Sequence, residues 1–101
     1  MKPIEFSMKL RKELIERTGL VDIKTVVKEN ERGLVYCIRT QFNDRVDYLR
    51  RKNLIVAFLR NIGVTGLIRD FEMYGGGMTI KFFNPPPQYN VVYCKLKRRE
   101  G

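Results

Sequence analysis

The chain predicts an α+β fold of order αββαββ(β), an antiparallel sheet with two helices packed on one face. Three observations predict it. Two segments carry apolar residues at helical spacing and end on glycine; each is followed by two stretches that alternate about a turn; and the two αββ units register without a gap at an offset of 44 residues.

The first helix follows from Ser7, a capping residue, with Leu10, Leu14 and Ile15 on one stripe and Gly19 as the stop. Residues 20–28 then alternate, turn through 29–33 and continue as 34–40, which reads as a β-hairpin. Asn43 and Asp44 supply a second cap for a longer helix that runs to Ile62 and stops at Gly63. A second hairpin joins 64–74 to 78–83 through Gly75-Gly76-Gly77, because glycine alone enters left-handed turns without steric cost. Asn84-Pro85-Pro86-Pro87-Gln88 breaks the pattern, and 89–97 is expected as a last strand before a basic tail at 98–101.

At the offset of 44, Leu10 falls on Leu54, Leu14 on Phe58, Gly19 on Gly63, Ile23 on Leu67, Val27 on Phe71, Gly33 on Gly77 and Ile38 on Phe82. Either internal duplication or shared periodicity produces such a match, since few of the paired residues are identical. The units are 7–39 and 43–83, and 101 residues suit one domain, 1–101.

A hydrophobic content of 44% with four prolines suits a folded core and not a disordered chain. The longest apolar run, Leu54 to Leu59, is far shorter than the roughly 18 residues a membrane span requires. The N-terminus lacks an apolar signal core, so an intracellular location, cytoplasmic or beside the genome, is expected. With no histidine and no Cys-Cys pair at metal spacing, neither a zinc set nor a cofactor is expected; Cys37 and Cys94 read as small strand hydrophobes, with one disulfide between them as the alternative.

Charge is the functional signal. Twenty Lys and Arg against eleven Asp and Glu leave +9, which attracts polyanions. If Val21, Ile23, Val27, Leu34, Tyr36, Ile38, Leu67, Phe71, Met78, Ile80 and Phe82 face the helices, alternation sends Lys24, Lys28, Val35, Cys37, Arg39, Ile68, Asp70, Glu72, Thr79, Lys81 and Phe83 to the opposite, open face. Tyr89, Val91, Tyr93, Lys95 and Lys97, followed by Arg98 and Arg99, extend this set if the last strand joins the sheet. The expected nucleic-acid ligands are therefore Lys24, Lys28, Arg39, Lys81, Tyr93, Lys95, Lys97, Arg98 and Arg99.

A rival cluster lies on the second helix, Arg45, Arg50, Arg51 and Lys52, which could enter a groove or follow a phosphate backbone. The apolar run after it is read as core, or else as a homodimer seam or assembly contact. Asp70 and Glu72, with Lys81 opposite, are the best acidic pair for a Mg²⁺-dependent nuclease, but no third ligand stands near them, so a non-enzymatic protein is expected. The triple glycine lacks the Lys-Ser or Lys-Thr of a phosphate loop, and the triple proline reads as a rigid linker.

The αββαββ order is similar to the topology of the homing endonucleases that straddle DNA with paired sheets. Their acidic residue at the end of each inward helix has no counterpart in Arg17-Thr18-Gly19 or Asn61-Ile62-Gly63. The expectation is a nucleic-acid-binding domain with DNA ahead of RNA, since no basic-Gly-aromatic-Gly-aromatic stretch of the RNA-recognition type occurs.

Overall fold

The computed structural model describes residues 1–92. It consists of two helices and a four-stranded antiparallel sheet, an α+β fold in the order α1 (Pro3–Thr18), β1 (Lys24–Asn30), β2 (Gly33–Gln41), α2 (Arg45–Asn61), β3 (Arg69–Met73) and β4 (Gly77–Phe82). The strand order across the sheet is β1-β2-β4-β3, so each hairpin contributes one central and one edge strand.

Helix α1 starts five residues earlier than a cap at Ser7 predicts, with Lys2 in the cap position. Pro3 sits in its first turn, where a missing N–H costs nothing, and the Glu5 carboxylate accepts the Lys2 N–H at 3.2 Å. Ser7 is instead buried inside the helix, and its carbonyl accepts the Thr25 hydroxyl at 2.8 Å, tying α1 to β1. The predicted stop holds: Gly19, at φ 73°, donates its N–H to the Ile15 carbonyl at 3.0 Å. In α2 the Asp44 side chain accepts the Asp47 N–H at 2.8 Å, as the cap predicts.

The core lies between the helices and one face of the sheet. Phe6, Leu10 and Leu14 descend from α1 and Ile55, Phe58 and Leu59 from α2, meeting Tyr36, Ile38, Met78, Ile80 and Phe82. Phe6 is its aromatic hub, edge-on to Tyr36 at 5.1 Å and to Tyr89 at 5.0 Å between centroids. The apolar run of α2 is thus largely consumed within the fold, leaving Leu54 and Val56 half-buried and Ala57 exposed.

The offset of 44 fails in one element. The first hairpin pairs Asn30 with Gly33 around a two-residue turn, whereas the second pairs Met73 with Gly77 around the three residues Tyr74, Gly75 and Gly76. The extra loop residue slips β3 by one position relative to β1, and a one-residue slip turns every side chain to the other face. The outcome corrects the predicted faces. Phe71 and Leu67 are exposed, Asp70 and Glu72 pair with the inward Ile80 and Met78, and Ile68 packs against the core. Val21, also expected inward, lies before β1 and is exposed.

The expected strand at 89–97 is corrected over its described part. Pro87–Tyr89 form a 3-10 turn and Asn90 adopts φ 50°, so the chain does not extend there. Tyr89 packs on the helix side against Phe6 and donates its hydroxyl to Glu13 at 3.0 Å, while the Val92 N–H donates to the Met1 carbonyl at 3.0 Å. Tyr93, Lys95, Lys97, Arg98 and Arg99, with Cys94, lie outside the described residues.

Candidate nucleic-acid interface

The face of the sheet away from the helices is built in rows set by the strand register. One row runs Val26, Cys37, Lys81, Arg69; the next runs Lys24, Arg39, Thr79, Phe71; the third runs Gln41, Gly77, Met73. Lys28, opposite Val35, stands at the other end of β1. Neighbouring strands lie about 4.8 Å apart, so the four strands make a strip roughly 14 Å across.

Five cations project from this strip: the predicted Lys24, Lys28, Arg39 and Lys81, and Arg69. None has a carboxylate within salt-bridge distance among the described residues. The small side chains between them are buried, with Val35, Cys37 and Thr79 low in the sheet and Cys37 an unbridged thiol in a small hydrophobic role. Phe71 is an exposed aromatic on this face, and the Lys81 ammonium stands 5.0 Å from its ring centroid. Arg69 and Phe71 escaped sequence reasoning because the strand was set one residue out of register. The signal that finds them is the loop length: a three-residue turn after Met73 reverses the alternation of 69–73.

The rival cluster on α2 is engaged differently. Arg51 donates to Asp47 at 3.0 Å, to Asp22 at 3.0 Å and to the Thr40 hydroxyl at 2.9 Å, and Arg50 donates to Asp47 at 2.9 Å. Lys52 pairs with Asp70 at 3.3 Å, and Arg45 pairs with Glu72. The slip of β3 is what makes this possible, since it turns both carboxylates toward α2. The nuclease geometry of Asp70 and Glu72 beside Lys81 is therefore not formed: the two acids lie on the helix side and the lysine on the open side. No group of three or more metal-ligating side chains occurs among the described residues.

These contacts set the protonation of the acids. The Tyr48 hydroxyl donates to Asp70, which with Lys52 holds that carboxyl below its ordinary value against the opposing effect of burial. The same contact, behind burial as the larger cause, pushes the Tyr48 phenol up to about 12. Burial would raise Asp22, but the Gln41 N–H, the Thr40 hydroxyl and Arg51 outweigh it, and the carboxyl is lowered. Asp47 is lowered chiefly by the Asn43 N–H.

At one end of the strip the surface dips into a pocket of about 400 Å³ whose lining includes Lys24, Arg39, Gln41, Met73, Tyr74 and Gly77. No helix among the described residues is long and apolar enough to cross a membrane. No family model matches this chain, and neither a curated protein nor a solved structure matches it.

Proposed function

We propose that this protein is a nucleic-acid-binding domain that contacts phosphates through the open sheet face, with DNA favoured over RNA and no catalytic step of its own. One observation carries the reading: five cations without acidic partners among the described residues share a strip with an exposed phenylalanine, while Arg45, Arg50, Arg51 and Lys52 of the rival cluster are all tied to carboxylates. Free cations exchange counterions for phosphate, and an exposed ring offers a sequence-tolerant surface to a base or sugar. A cation already neutralised by an aspartate has less to gain. Lys95, Lys97, Arg98 and Arg99 would add to the same electrostatic attraction, and Tyr93 to the apolar contact.

The assembly reading draws less support, because Ile55, Phe58 and Leu59, the residues that would supply an apolar seam, are core. Titration of single-stranded DNA, duplex DNA and RNA at several salt concentrations tests the proposal. A linear fall of log K with log salt is expected. Absence of binding to all three at low salt overturns it, and a dimer that dissociates in Val56→Asp without any response to nucleic acid favours assembly instead.

A further inference from the structure

We infer that the pocket at the end of the open face is a nucleotide site for an unpaired residue, at a single-stranded end or within a single strand. This deepens the proposed function and rests on it. The pocket, about 400 Å³, is at the small end of the range for ligand sites, which suits one nucleotide and not a base pair. Its lining divides by chemistry. Lys24 and Arg39, paired across β1 and β2, supply charge for a phosphate. Tyr74, fully exposed at the tip of the second hairpin, and Met73 supply flat and apolar surface for a base, and the Gln41 amide offers donors and an acceptor for its edge. Asp22 also lines the pocket, but its carboxylate is occupied by Arg51, Thr40 and the Gln41 N–H, so the charge offered to a ligand remains positive.

The backbone and floor of the site are held in place. The Phe42 N–H donates to the Gly76 carbonyl at 2.8 Å, fastening the glycine loop to the end of β2, and the Thr79 hydroxyl contacts the Met73 sulfur at 3.1 Å. Gly77 leaves its floor open: a Cβ there would stand 3.6 Å from Met73 Cβ and 3.7 Å from Gln41 Nε2, ordinary contacts that fill the space without straining the backbone. A base held in a duplex stays in its stack and cannot enter, so the pocket selects for unpaired residues.

The test compares a blunt duplex, the same duplex with a short overhang, the corresponding single strand and a free mononucleotide, by anisotropy at one salt concentration, on wild type, Tyr74→Ala and Gly77→Val. Overhang and single strand should bind on the order of tenfold more tightly than blunt duplex, as one stacked base contributes. Both variants should erase that advantage and leave blunt-duplex affinity unchanged; Tyr74 is wholly exposed, so its removal does not burden folding. Equal affinity for the three polymers, or an advantage that survives both variants, overturns the pocket while the sheet-face reading stands. A mononucleotide that binds as tightly as the overhang overturns the strand-end assignment. Failure to bind any polymer overturns the sheet-face reading itself.

Discussion

Removing Lys24 and Arg39 together discriminates between the sheet and the helix as the phosphate-binding surface. The two are directly paired on adjacent strands and have no acidic partner among the described residues, so the double alanine variant deletes two phosphate contacts and no internal ion pair. Each contact to a single strand contributes about 0.7 to the slope of log K against log salt, so the double variant should be shallower by about 1.4. Over a rise from about 50 to about 200 mM salt, the loss of affinity should then be roughly sevenfold smaller than in the wild type. Arg50→Ala with Arg51→Ala should leave the slope unchanged and lower the melting temperature, because Arg51 bridges Asp22, Asp47 and Thr40 within the fold. Anisotropy titrations across a salt series, with melting curves on the same samples, measure both quantities. A helix variant that loses slope while the sheet variant keeps it refutes the choice of surface.

Four further outcomes follow from the fold. Asp22 and Asp70 titrate lower folded than unfolded, so the stability they contribute is complete above the unfolded value near 3.9 and disappears as pH falls through their folded values; acid unfolding curves should show the loss beginning below about pH 5, and Asp70→Asn should flatten it. Tyr48 has the opposite sign, raised from 10.0 to about 12, so its contribution persists below pH 10.0 and drains away toward pH 12; ultraviolet titration should show late phenol absorbance, to which Tyr89 also contributes, that falls by one tyrosine in Tyr48→Phe. Phe6→Ala, at the hub of the aromatic cluster, should cost about 3–5 kcal/mol in denaturant unfolding. Gly76→Ala should cost at least about 1–2 kcal/mol, since its φ of 83° disfavours any Cβ and that Cβ would meet the Phe42 carbonyl oxygen at 3.1 Å.

Local signals carried most of the architecture. The Asp44 cap, the stops at Gly19 and Gly63 and the alternation of 24–40 are short-range rules, and each is obeyed where the sequence places it. For that reason Lys24, Lys28 and Arg39 were legible as cations of one outward face. What only tertiary structure decided is the facing of β3. A strand of Arg-Asp-Phe-Glu-Met permits either orientation, and the apolar choice for burial, Phe71, lost to a three-residue glycine turn together with ion pairs from Asp70 and Glu72 to α2. The same decision removed the acidic pair from the open face, placed Arg69 and Phe71 on it, and neutralised part of the rival helix. Residue spacing is blind to such a choice, because side-chain period in a strand is two and one residue of loop length reverses it. Tyr89 followed the same pattern: its strand-like neighbours suggested a sheet, yet the ring found Phe6 and Glu13 on α1, a contact 76 residues back along the chain that no local window contains.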